Sequence, residues 1–283
     1  MNRRGGFVLA ASFGVVACFT TFPARQLNAQ SAGAAAAATQ TPSNPKELVT
    51  QARHKYYTVT EHGFAGFSSD AKPDWDAMLT EAKVDPATTT AVMPILKSTQ
   101  FKVLVGADGA STISPVAELP PPNEEVAARL RQTTQGFQQV VTGFLQTWSG
   151  FALNQMLPPT DGVEYHVVPD ASGYKVSYAE SGANVVLSLN HELTITNVEV
   201  ASDTTNGSMQ PTFSSIAGGL ILSGYDAQFK MKDGSTSRIT TKVQSIAVDG
   251  IELPGTVDAV VYEGEMQVPL HFTFSGYRLT KKQ

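Results

Sequence analysis

Cysteine is almost missing from this chain: Cys18 is the only one in 283 residues. A lone thiol inside an N-terminal leader leaves the rest of the chain with no internal disulfide, no thiolate nucleophile and no Cys-based metal site. Charge is also scarce, at 16% Asp, Glu, Lys and Arg. Thr, Ser, Gln, Asn and Gly take the surface positions instead, a composition common in exported proteins. The formal net charge is −5 and no basic stripe runs along any segment, which argues against a nucleic-acid partner. No second long apolar run follows the N-terminal one, so no later segment is expected to span a membrane. His54, His62, His166, His191 and His271 include no pair at metal-ligand spacing such as i, i+4 on a helix. His166 and His271 fall opposite the apolar residues of their strands and are expected to face solvent. The serines lack a G-x-S-x-G elbow, and Gly218-Gly219 has no phosphate-loop context. The sequence therefore carries no enzyme signature: no catalytic residue, no cofactor and no metal site is expected.

Residues 1–30 read as an export signal. Arg3 and Arg4 form a basic start, and Phe7 to Ala17 an apolar run too short to cross a bilayer. Two processing routes fit. Leu27-Asn28-Ala29-Gln30 suits an ordinary signal-peptidase site, whereas Val15-Val16-Ala17-Cys18 resembles a bacterial lipobox with Cys18 as the lipidated residue. Removing Arg3, Arg4 and Arg25 lowers Lys+Arg from 20 to 17 against 25 acidic residues, which makes the mature chain −8. Residues 31–43, rich in Ala and Thr, read as a linker. Residues 44–283 read as one folded domain, 42% of the whole chain being hydrophobic. The expected location is the periplasm or cell envelope, with membrane attachment only through a lipid on Cys18.

The central segment is Pro122 to Met156. Val126, Leu130, Phe137, Val140, Val141, Phe144, Leu145, Trp148 and Phe151 recur at helical spacing, with Gln, Thr and Arg opposite. Pro122 is placed to open the helix, Asn123 to cap it, and Pro158-Pro159 to stop it. Before it, Asn44-Pro45-Lys46-Glu47 starts a helix to about Lys55, and Tyr56 to Phe67 reads as a strand bent at Gly63 and Gly66. Short helices follow near 75–83 and 86–97, then a hairpin at 101–113 turning at Asp108-Gly109. Asp70, Asp74 and Asp76 lack a calcium-loop register, and Asp74 reads as a helix cap.

After the long helix nearly everything is β, apart from an expected polar loop at Asp203 to Gln210. In the last strand Met266, Val268, Leu270, Phe272 and Phe274 alternate with polar neighbours, which makes a sheet with one apolar and one wet face. Eight or more such strands twist and curl around the apolar face. The expected fold is α+β: a curved antiparallel β-sheet, an unclosed half-barrel, with one long and several short helices in or across the concave face.

Three stretches resemble the outer-membrane lipoprotein carrier (LolA-like) superfamily. They are Tyr56-Tyr57-Thr58-Val59 through Gly63-Phe64-Ala65-Gly66-Phe67, then Val248-Asp249-Gly250-Ile251-Glu252-Leu253-Pro254, and the closing Phe274-Ser275-Gly276-Tyr277-Arg278-Leu279. The resemblance spans roughly Asn44 to Lys281. It implies an exported half-barrel that holds acyl chains, and a buried arginine tying lid to barrel, to which Arg53 is the nearest by position. It departs from the family in its long helix and long strand-rich half, and a genuine lipobox would argue against a soluble shuttle.

The expected ligand is hydrophobic, the acyl chains of a lipoprotein or a lipid, and binding requires no covalent chemistry. Phe137, Val141, Phe144, Leu145 and Trp148 on the helix, with Met266, Leu270, Phe272 and Phe274 on the last strand, are the candidate walls of the trough. The same residues also read as plain core. In that case the chain is a lipid-anchored structural or sensory domain that works through contacts with envelope proteins.

Overall fold

The computed structural model describes residues 44–81, 86–180, 182–203, 205–231, 234–263 and 266–281. The export signal, the linker and Cys18 lie outside the described residues.

The first described element is α1 (Pro45–Arg53), started by Asn44, whose side chain accepts the Glu47 N–H at 3.2 Å. A single 3-10 turn, Val59–His62, ends on Gly63 in the left-handed region. The expected strand from Tyr56 thus begins only at Phe64, because the left-handed turn re-aims the chain first. Strands β1 (Phe64–Pro73), β2 (Gln100–Gly106) and β3 (Ser111–Val116) bracket helices α2 (Trp75–Glu81) and α3 (Pro86–Ser98). Asp74 caps α2 by accepting the Ala77 N–H at 3.0 Å, while Asp70 and Asp76 pair with Lys102 and Lys97. The acidic cluster is thus a helix cap and two lysine ion pairs.

Helix α4 spans Glu124–Ala152, with Asn123 accepting the Val126 N–H at 2.9 Å. Pro122 therefore stands outside the helix, just before its cap, and not at its first turn. Nine more strands follow: β4 (Tyr165–Asp170), β5 (Gly173–Glu180), β6 (Ala183–Asn190), β7 (Ile195–Ala201), β8 (Thr205–Ile216), β9 (Gly219–Met231), β10 (Thr236–Val248), β11 (Ile251–Glu263) and β12 (Met266–Lys281).

All twelve form one antiparallel sheet in the order β3-β2-β1-β12-β11-β10-β9-β8-β7-β6-β5-β4. The sheet is not closed: β3 and β4 are its two ends. Every neighbour pair except one is a sequential partner, so the turns set most of the order. Asp249 (φ 49) and Gly250 (φ 82), for instance, form the two-residue loop between β10 and β11. The exception is β1 with β12, which joins the start of the domain to its end through pairs such as Phe67↔Leu279 and Pro73↔Phe272.

The expected polar loop at Asp203 to Gln210 is for the most part strand β8. Its sequence, TNGSMQPTFSSI, looks like a loop because, among its described side chains, only Met209 and Pro211 are buried. Pairing to β9 along its length, with one register shift after Thr212, and to β7 over Asn206–Met209 fixes its backbone in place of side-chain packing. Likewise β11 and β12 run longer than their apolar alternation, to Ile251 at one end and Lys281 at the other.

One face of the sheet is buried. Its apolar residues and those of the helices form a single core in which the largest enclosed side chains include Trp148, Phe64, Phe67, Phe101, Phe137, Phe144 and Phe272. Among the described residues, no helix is long and apolar enough to cross a membrane.

Candidate functional site

The proposed trough residues come together. Phe137, Val141, Phe144, Leu145 and Trp148 on α4, and Leu270, Phe272 and Phe274 on β12, are each at most 3% exposed. The Phe137 ring meets Phe272 edge-on at 5.5 Å and Phe101 at 4.6 Å. Phe144 contacts both Phe272 and Phe274, each at 6.0 Å. Trp148 meets Phe64 and Phe67 on β1. The backbone of Met266 pairs with Glu263 at the β11–β12 hairpin, and its side chain lies outside those described. The other eight side chains form an interdigitated apolar layer between α4 and the sheet.

A cavity of about 350 Å³ opens beside the last turns of α4. On one side stands the β2–β3 turn, Asp108 to Ser111. On the other stand Tyr178, Val185, Val198 and Val200 from β5, β6 and β7, and between them lie Gln146, Ser149 and Met156. Its lining includes none of the eight trough side chains described above. The alternation of β6 and β7 turns Val185 and Val198 to the buried face, which makes that wall apolar. Tyr178 is fixed there by donating its O–H to the Met156 carbonyl at 2.8 Å.

The turn comes close because residue 109 is glycine: a Cβ there would stand 2.8 Å from Ser149 Cβ. Gln155 Nε2 ties the turn to the end of α4 by donating to the Asp108 carbonyl at 3.3 Å. Three buried polar atoms in this lining, Ser111 Oγ, Gln146 Oε1 and Ser149 Oγ, have no hydrogen-bond partner. The sequence reading missed the site. Its residues come from segments far apart, and its apolar part is the ordinary inward face of two strands.

Two wider clefts are more polar. One, of about 830 Å³, crosses β6 to β11 and includes Asn184, Glu199, Gln228 and Tyr262, with Arg238 already forked onto Asp226. The other, of about 820 Å³, lies between α2 and β12. It holds His271, whose Nδ1 is 2.8 Å from Asp258 Oδ1 and whose Nε2 is 3.2 Å from Glu81 Oε1. His271 lies on the outer face, partly exposed, and is held there between two carboxylates, because α2 packs beside β12 and brings Glu81 over the strand.

Hydrogen bonding to Asp258, helped by Glu81, raises the His271 pKa above the ordinary value of 6.5. A raised folded-state pKa gives stability that is complete below 6.5 and lost as pH rises through the raised value. Because Asp258 and Glu81 are about half exposed, the loss is at most about 1 kcal/mol. Urea unfolding at a series of pH values should show it, and His271→Gln should flatten that part of the profile.

Arg53 donates from Nη1 to the carbonyls of Leu157 at 2.7 Å and Pro158 at 3.3 Å. Asn154 Nδ2 returns a bond to the Arg53 carbonyl at 3.1 Å. Arg53 thus ties α1 to the segment leaving α4, half-buried, and that burial lowers its pKa. Among the described residues no group of three or more His, Cys, Asp or Glu side chains could hold a metal ion.

Comparison of the chain with protein-family models, curated proteins and solved structures finds no match.

Proposed function

We propose that this chain is an exported envelope protein that binds a hydrophobic ligand without covalent chemistry, in the manner of the LolA-like carriers its sequence resembles. In this reading the sheet curves about its buried face as a half-barrel, and α4 with the shorter helices lies across the concavity. The ligand is a lipid or the acyl chains of a lipoprotein. The observation that carries the proposal is the cavity between the β2–β3 turn and β5–β7, a concave apolar space within the usual size range of small-molecule sites.

Magnitudes favour that cavity over displacement of α4. Burial of a large apolar side chain is worth about 1.5–3 kcal/mol, so lifting the five trough residues of α4 off the sheet costs on the order of 10 kcal/mol. An acyl chain of about twelve methylenes regains a similar amount at about 0.8 kcal/mol each. A ligand that had to expel α4 would gain almost nothing, whereas one that enters beside it keeps its transfer energy.

Native mass spectrometry of the protein purified from a bacterial envelope, followed by organic extraction, tests the proposal. The expected result is an adduct of lipid mass that extraction removes. A bare polypeptide mass, with no uptake of added fatty amide or lipoprotein, would sink it. The burial of the five trough residues of α4 favours a second reading, a lipid-anchored structural or sensory domain with a permanently filled core that acts through protein contacts. Palmitate labelling at Cys18 together with a bare mass would support that reading.

A further inference from the structure

We infer that the cavity beside α4 selects its ligand by the polar end, and takes a neutral amide- or hydroxyl-headed amphiphile in preference to an ionised fatty acid. The inference rests on the reading that the chain binds a hydrophobic ligand and adds the headgroup class to it. Its basis is the cluster of Ser111 Oγ, Gln146 Oε1 and Ser149 Oγ, three buried atoms without a hydrogen-bond partner that line one cavity. They make up half of the six such atoms among the described residues, and an orphaned buried polar group is costly enough to need a reason.

Gln146 and Ser149 stand three residues apart on α4 and so share a face of the helix. Ser149 is only 3% exposed. Its hydroxyl lies 3.2 Å from where a Cβ of residue 109 would stand, so Gly109 leaves the room beside it.

The chemistry of the cluster defines the ligand. The amide oxygen Gln146 Oε1 only accepts, so its complement is an N–H or O–H. The two serine hydroxyls donate or accept, so they match a carbonyl or hydroxyl oxygen. An amide or hydroxyl head offers both. A carboxylate offers acceptors only, and it needs a cation to offset its desolvation. No Lys, Arg or His side chain is among the described residues of the lining. The carboxylate that is there, Asp108, accepts the Ala110 N–H at 3.0 Å at the rim and repels an anion. Tyr178 already spends its O–H on the Met156 carbonyl. The apolar body of the ligand lies against Val185, Val198 and Val200 on the opposite wall.

The test is displacement of a neutral fluorophore, N-phenyl-1-naphthylamine, from the full chain at pH 8 by dodecanamide, 1-dodecanol and dodecanoate. The amide is expected to bind at least about tenfold more tightly than the carboxylate. Gln146→Met and Ser149→Ala, both near in shape to the originals, should each weaken the amide about tenfold, as loss of one buried hydrogen bond implies. Gln146→Met, which removes an acceptor that a carboxylate cannot use, should leave dodecanoate unchanged. Ser149→Thr, which keeps the hydroxyl, should bind the amide more tightly than Ser149→Ala does. Unchanged melting temperatures exclude unfolding as the cause. Equal affinity for amide and carboxylate, or no response to either substitution, would overturn the inference and leave the hydrophobic-ligand reading standing. Failure of the fluorophore and all three amphiphiles to bind would overturn both.

Discussion

Trp148→Ala is expected to destabilise the protein by about 3–5 kcal/mol, the range for removing a large aromatic side chain from a packed interior. Trp148 is 1% exposed and sits edge-on to Phe64 at 6.4 Å and to Phe67 at 6.0 Å, so it joins α4 to the first strand of the sheet. Neither side can collapse easily into the gap. Phe67 is held in a strand paired on both edges, to β2 and to β12. Guanidinium unfolding at constant slope measures the effect. The same number bears on function. A loss near the top of the range means that the layer between helix and sheet is rigid core and that ligand stays in the side cavity. A loss under about 1 kcal/mol would mean that the layer is loose, and displacement of α4 by ligand would become the better mechanism.

Gly173→Ala is expected to cost about 3 kcal/mol or more, from backbone geometry rather than lost contacts. Gly173 has φ 145, a conformation that side-chain-bearing residues rarely adopt. A Cβ there would stand 2.1 Å from the Leu189 carbonyl oxygen and 2.5 Å from the Asn190 carbonyl carbon. Both atoms belong to β6, the strand to which Gly173 is paired, so relief requires parting β5 from β6. Gly182→Ala is the control. Its φ of 81 carries the left-handed penalty, but nothing stands within 4 Å of the new Cβ, so the cost should stay near 1–2 kcal/mol. Thermal unfolding of the two variants separates the contributions. Hydrogen exchange should place the Gly173→Ala damage in β5 and β6, which form part of the cavity wall.

Much of the fold was legible wherever one local rule acted alone. Asn44, Asp74 and Asn123 cap their helices as their residue types and spacing imply. Asp108-Gly109 turns the chain where turn chemistry places it. Leu270, Phe272 and Phe274 face the core as the period of two requires. The reading failed where neighbours overruled local preference. Strand β8 carries two buried residues and a loop-like composition, and it is a strand because two flanking strands hydrogen-bond it. The clamp on His271 was not legible because Glu81 stands 190 positions away in sequence.

The sequence by itself determined the helix caps, the long amphipathic α4, most of the strands, the one-sided sheet and the scarcity of chemical groups that leaves binding as the proposal. Each of these follows from short-range periodicity, capping and composition, which act within a few residues. Only the tertiary structure decided that the candidate trough side chains form a closely packed layer, and that a separate cavity lies between Asp108–Ser111, α4 and β5–β7. It also decided that Ser111, Gln146 and Ser149 line that cavity with buried polar atoms that have no hydrogen-bond partner. Whether an apolar face ends as filled core or open wall depends on the volume left between elements brought together from far along the chain. No local pattern encodes that volume, since the same Val and Phe residues satisfy the period either way.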